Sequence, residues 1–259
     1  MIDGTGPLFK TLGGEGPDCI LIHGFGSDSL SWAANIPALL PAARTHAVDL
    51  PAHGECESTF IEKSLPANAD IFVDGMRKAG ILSAHFVGHS LGGAVALAVA
   101  ARHPEAVKSL TLIAPVGLGD GVDREFLQSL VNVQSVEESL RLLQQLFVRK
   151  QLVNKMLAKR LLYHLNKTGI RDALSKLATV VNGWENDDMP VLLPDIPGNI
   201  PKLVIWGSSD EMNKASEERI RVIGATPTLI GDAGHLPHIE QVSTVNSLIV
   251  ALLQSAGSR

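Results

Sequence analysis

Short runs rich in apolar and β-branched residues lie at 19–22, 46–50, 84–88, 109–114, 203–206 and 226–230, and each gives way to Gly, Pro or His. Between them run longer stretches with apolar residues every three or four positions. Near-continuous apolar runs predict strands buried on both faces, and helical spacing predicts helices with one apolar side. Alternation of the two predicts an α/β fold, with a mostly parallel central sheet flanked by helices. In open sheets of this kind the ligand crevice lies beyond the C-terminal ends of the strands, so polar residues directly after the runs are the first candidates for chemistry.

The alternation stops between residues 116 and 200. Several helices are expected there; one opens at Ser135 with Glu138 three residues on, a capping box, followed by Leu140, Leu143 and Phe147 on one face. Pro190, Pro194, Pro197, Gly198 and Pro201 then force the chain out of helix. The expectation is a core built from 1–115 and 201–259, with a helical cap inserted at 116–200. Nine Lys or Arg and one acid fall within 141–176, a local charge of +8 that leaves −13 for the rest of the chain. Such a segment either draws in an anionic substrate or partner, helps hold a basic cap over an acidic core, or simply presents solvated helix faces.

Composition removes several function classes. The 259 residues carry a net charge of −5 and 4% aromatics with a single Tyr, which gives neither attraction for nucleic acid nor the raw material for base stacking or a membrane girdle. Cys19 and Cys56, the only cysteines, are expected as free thiols in a reducing compartment. The first eighteen residues hold no apolar segment of secretory length, and the apolar stretch 94–101 is too short to span a bilayer. A cytoplasmic protein with no membrane association is expected; nothing sets its oligomeric state.

After the 84–88 strand comes Gly88-His89-Ser90-Leu91-Gly92, followed by a helical run. A serine on a sharp strand-to-helix turn sits in strained backbone, and its neighbours two positions away must lack side chains for the turn to close. The hydroxyl becomes a nucleophile only when a base takes its proton and a carboxylate holds that base in the right tautomer. Asp210 follows the 203–206 strand and His235 follows the 226–230 strand, giving the order Ser, Asp, His. Asp232 and Glu211 are alternative acids, and His238 is the reserve base. His89 is expected to point away from Ser90; His46, His85, His103 and His164 are read as structural. Two N–H groups are needed for the oxyanion: Leu91, next after the nucleophile, and Phe25, in the Gly-rich turn His23-Gly24-Phe25-Gly26. The pairs His235/His238 and His53/Cys56 lack a third ligand, so no metal site is expected. No G-x-G-x-x-G opens a helix, so no dinucleotide is expected and no cofactor is called for.

Together with Asp49-Leu50-Pro51-Ala52-His53-Gly54 and Gly234-His235-Leu236-Pro237-His238-Ile239-Glu240, these residues resemble the α/β hydrolase superfamily from about residue 18 to 253. The stretch LTLIAPVGLG at 110–119 looks most like the C-terminal hydrolase-type domain of acetoin dehydrogenase dihydrolipoyl acetyltransferases, although no preceding lipoyl domain is expected from the early position of the His23 loop. The resemblance implies a structural role for Asp49 and His53, and an α/β-hydrolase fold whose first strand is missing or truncated. It also implies a cofactor-independent carboxylesterase that cleaves small or short-chain esters through an acyl-enzyme on Ser90, in a small pocket under the cap. Trp32, Phe126, Phe147, Tyr163 and Trp184 are the candidate pocket lining. Carbon–carbon bond hydrolysis and acyl transfer use the same triad, the former going with Asn rather than His before the nucleophile. A catalytically silent docking domain is the non-enzyme alternative.

Overall fold

The computed structural model describes residues 6–257. Seven strands, β1 (Leu8–Gly13), β2 (Asp18–Ile22), β3 (Arg44–Asp49), β4 (Ala84–His89), β5 (Val107–Ile113), β6 (Lys202–Gly207) and β7 (Pro227–Ile230), form one sheet in the order β1-β3-β2-β4-β5-β6-β7. All pairings are parallel except β1 with β3. Successive strand residues face opposite layers: Ile20, Ile22 and Phe86 pack with Phe72 and Met76 of the Leu65–Lys78 helix, whereas Leu21, Val87 and Ile113 pack with Val245 and Ile249 of the Val242–Gly257 helix. Both faces are therefore covered, which is why these strands read as continuous apolar runs. Each fully buried aliphatic side chain contributes about 1.5–3 kcal/mol to this two-sided core.

The expected loss of the first strand is corrected by β1. It is an edge strand, half-buried or exposed along its whole length, so it lacks the apolar run by which the others are recognised. A register shift between Thr11 and Gly13 and an ion pair from Lys10 to Asp49 at 2.8 Å disfavour addition of a further strand to this edge.

Between β5 and β6 the described residues form the helices Arg124–Asn132, Val136–Leu143, Lys155–Leu165 and Ile170–Gly183, with no strand beyond an isolated bridge from Gly119 to Ala215. Ser135 caps its helix by accepting from the Glu138 N–H, but the Glu138 carboxylate accepts from the Gln134 N–H. The helix ends at Leu143, so Phe147 reaches inward from extended backbone instead of from the same helical face. Part of the basic stretch fastens this insert to the core: Arg160 pairs with Asp28 at 2.7 Å, and Lys167 Nζ donates to Gly54 O at 3.1 Å. Exposed pairs of this kind contribute at most about 1 kcal/mol each. Among the described residues no helix is long and apolar enough to cross a membrane.

Candidate active site

Ser90 connects β4 to the Leu91–Arg102 helix at φ +53°, ψ −113°, in the half of φ space that side chains avoid. The turn is held from three sides: its N–H donates to Ile113 O at 2.9 Å, and its carbonyl accepts from Gly93 N and Val116 N, both at 3.0 Å. A Cβ on Gly88 would strike Gly92 O, and one on Gly92 would strike Ile22 O and His23 O. Among the described residues three other non-glycine residues share a positive φ, namely Ala52, Ala114 and Asp232. All four follow the C-terminal ends of parallel strands, β3, β4, β5 and β7.

Asp210, buried, sits three residues past β6. Its Oδ1 accepts from the N–H groups of Met212 (2.9 Å) and Asn213 (3.1 Å), and its Oδ2 lies 2.8 Å from His235 Nδ1. The acid and histidine loops are joined by Ser208 N to Ile230 O at 2.9 Å and Ser209 N to Ala233 O at 3.0 Å, with Gly207 pressed against Gly234 O. The alternative acids are elsewhere engaged or exposed: Glu211 pairs with Lys214, and Asp232 is an exposed turn residue. Asn213, which sequence reasoning passed over, donates from its side-chain amide to Ala114 O and Pro115 O, both at 3.1 Å, and so pins the Asp210 loop to the end of β5. Ser90 and His235 line the same cavity. Among the described residues the hydrogen bonds join Asp210 to His235 but not His235 to Ser90, a link that in free enzymes is often formed fully only with substrate bound.

The Phe25 loop is shaped by two buried histidines. His23 Nδ1–H donates to Gly24 O at 2.8 Å and its Nε2 accepts from Leu50 N at 3.1 Å; His53 Nδ1–H donates to Pro51 O at 2.9 Å and its Nε2 accepts from Gly26 N at 3.0 Å. Asp49 accepts from Ser29 N and Glu55 N besides Lys10; burial raises its carboxyl, and these bonds outweigh burial and hold it at about 2. Outside helices and strands, the described backbone bonds leave the N–H groups of Phe25 and Leu91 without an acceptor.

His89 does not point away from the site. Its Nε2–H donates to His235 O at 2.9 Å, and its ring lies 4.9 Å from that of His235, because the strained turn at Ser90 lets the last side chain of β4 tuck under Gly24. His238, the reserve base, is fully buried with its ring 4.5 Å from Trp32 and 4.7 Å from His89, outside the cavity. His46 and His103 bond to Asp18 and Asp70, His85 to Ser109, and His164 to Ala52 O.

Burial disfavours protonation of six histidines, His23, His53, His85, His89, His164 and His238; His85 is lowered to about 4 and His238 to about 3. The unfolded chain protonates them near pH 6.5. Their contribution to stability is therefore complete above about pH 6.5 and is lost as pH falls towards the folded values, at up to about 1.4 kcal/mol per group per pH unit. The urea midpoint is expected to drop by half or more between pH 7.5 and pH 5, given a typical domain stability of about 5–15 kcal/mol. An unchanged midpoint would show that these rings are charged in the fold.

The cavity has a volume of about 440 Å³ and lies between the core and the insert. Phe126 and Phe147 line it with Leu130 and Leu146. Three candidate lining residues do not. Trp32 is fully buried beneath the site against His238. Tyr163 is 72% exposed, because the Lys155–Leu165 helix buries Ala158, Leu161 and Leu165, and a residue two on from Leu161 falls on the opposite side. Trp184 is buried beside Phe72 and Leu91, its Nε1–H donating to Lys63 O at 2.9 Å. The expected small pocket is corrected as well, since this volume is within the range that holds a drug-sized molecule. Among the described residues no cluster of side chains could hold a metal ion.

Residues 19–247 match the model of the Alpha/beta hydrolase family. The dihydrolipoyllysine-residue acetyltransferase components of the acetoin cleaving systems of Cupriavidus necator and Pseudomonas putida are 32% and 34% identical over 96% and 94% of this chain; the chain spans 66% and 65% of their lengths. A pimeloyl-[acyl-carrier protein] methyl ester esterase of Aeromonas hydrophila is 40% identical over 104 residues, 39% of each chain. A meta-cleavage product hydrolase from Pseudomonas fluorescens superposes with a TM-score of 0.82 at 25% identity, covering 96% of this chain and 94% of its own.

Proposed function

The chain belongs to the alpha/beta hydrolase family, and from that premise we propose that it is a serine hydrolase that cleaves carboxylic esters without a cofactor. Ser90 Oγ attacks the ester carbonyl as His235 Nε2 takes its proton; the N–H groups of Phe25 and Leu91 hold the oxyanion, and the proton passes from His235 to the departing alcohol. Water, activated by the same imidazole, attacks the acyl-enzyme and frees the acid. Asp210 keeps the proton of neutral His235 on Nδ1. The supporting observation is the 2.8 Å contact of Asp210 with His235 at the edge of the cavity that also holds the strained Ser90 turn.

The apolar part of the cavity, between Phe126, Leu130 and Phe147, suits an acyl group larger than acetate. Each methylene that enters it is worth about 0.8 kcal/mol, or about fourfold in kcat/KM. With p-nitrophenyl esters of increasing chain length, kcat/KM is expected to climb by about that factor per carbon until the cavity is full. One vinylogous diketone belongs in the same screen, because the structural likeness to a meta-cleavage product hydrolase favours carbon–carbon hydrolysis as the second reading. Cleavage of the diketone with the esters untouched would establish that reading. No turnover of either, with no fluorophosphonate label on Ser90, would leave a silent docking domain.

A further inference from the structure

The loop bearing His235 is bonded directly to the insert. His235 N–H donates to Leu146 O at 2.9 Å. Glu240, 2% exposed, places Oε2 at 2.6 Å from Gly234 N and Oε1 at 2.7 Å from Arg149 N, while Arg149 Nη1 donates to Glu240 O at 2.8 Å. The carboxylate is thus shared between the N–H next to His235 and an N–H of the insert. A Cβ on Gly234 would press on Leu146 O, so the two segments touch at the backbone. Leu146 and Phe147 also form part of the cavity wall. Segments 146–149 and 234–240 therefore make one hydrogen-bonded unit that carries both a part of the acyl-cavity wall and the imidazole facing the same cavity.

We propose that Glu240 is a positioning residue that fixes His235 to the wall of the acyl cavity, so that an acyl group packed against Leu146 and Phe147 also sets the placement of the imidazole. The proposal rests on the reading of His235 as the base. Only a carboxylate accepts on both sides at once; a carboxamide would turn its NH₂ towards one of the two N–H donors. Chain length then acts on kcat as well as on KM, since a misplacement of about 1 Å costs up to about 100-fold in rate.

The test compares the wild-type chain with E240Q, E240D and H235A on p-nitrophenyl acetate and butyrate. E240Q is expected to lose about 10- to 100-fold in kcat, with KM changed by less than about threefold. The butyrate-to-acetate ratio of kcat should fall towards one in E240Q, while E240D, which keeps two acceptor oxygens, restores part of both. Wild-type kcat and an unchanged ratio in E240Q, with H235A inactive, would overturn the proposal and leave the base assignment standing; an active H235A would remove the base assignment itself. Should E240Q not fold, the link can be cut from the insert side. Arg149→Pro deletes the N–H that Oε1 accepts, at a backbone φ of −85° that lies about 5° beyond the usual proline range, and Arg149→Ala retains it. Arg149→Pro is expected to turn over about tenfold more slowly than Arg149→Ala, and equal rates would refute the coupling.

Discussion

Ser90→Ala is expected to lower kcat on p-nitrophenyl butyrate by about 10⁴-fold or more and to abolish labelling by a fluorophosphonate. The size of the effect follows from what alanine keeps and what it removes. Alanine has the same Cβ, so it occupies the same left-handed backbone between β4 and the Leu91–Arg102 helix, and the bonds from Ser90 N to Ile113 O and from Gly93 N and Val116 N to Ser90 O involve only main chain. The fold, the cavity and the Asp210–His235 pair should remain, and circular dichroism should be unchanged. What disappears is the oxygen proposed to carry the acyl group, so that only the rate supplied by binding and the proposed oxyanion donors should remain. Retention of more than a few per cent of kcat, or fluorophosphonate labelling of another residue in the variant, would sink the mechanism.

The second large effect concerns a proton. In Asp210→Asn the side-chain oxygen is expected to remain with the N–H groups of Met212 and Asn213, at 2.9 and 3.1 Å from Oδ1, because an NH₂ placed there would face two donors. The amide NH₂ then faces His235 Nδ1, which must accept and so gives up its hydrogen. The imidazole proton moves to Nε2, the atom that should receive the proton of Ser90. A loss of about 10³- to 10⁴-fold in kcat is expected with the structure intact. Steady-state kinetics checks this directly, and a loss below about tenfold would mean that Asp210 does not set the tautomer of His235.

The residues of the proposed triad were legible because each follows a strand that the sequence marks clearly. β4, β6 and β7 all end where Gly and polar residues begin, although only β4 is buried along its whole length and the edge strand β7 exposes Leu229, and these ends place Ser90, Asp210 and His235 at one rim of the sheet. The edge strand β1 was not legible, since Leu8–Gly13 has no buried face to impose a run or an alternation. Aromatic identity was a poor guide to the cavity. Phe126 and Phe147 line it, but Trp32, Tyr163 and Trp184 are directed elsewhere by the packing of their own elements, and only Tyr163 was open to a periodicity argument from Leu161. Glu240 lay within a motif already singled out, yet its role depends on Arg149, 91 positions away in the chain, and a pairing of that separation leaves no local pattern. His89 was misplaced because strand alternation does not hold through a turn as tight as that at Ser90.

The left-handed residues after β3, β4, β5 and β7 each store about 1–3 kcal/mol, and all of it at one rim of the molecule. Such tension persists only while the surrounding structure is stiff enough to resist it. Gentle warming, or a softening substitution deep in the sheet, should let the rim slacken while the body behind it still looks native, so that turnover fades before ellipticity does. Variants ranked by melting temperature alone would then be credited with a working rim they no longer possess.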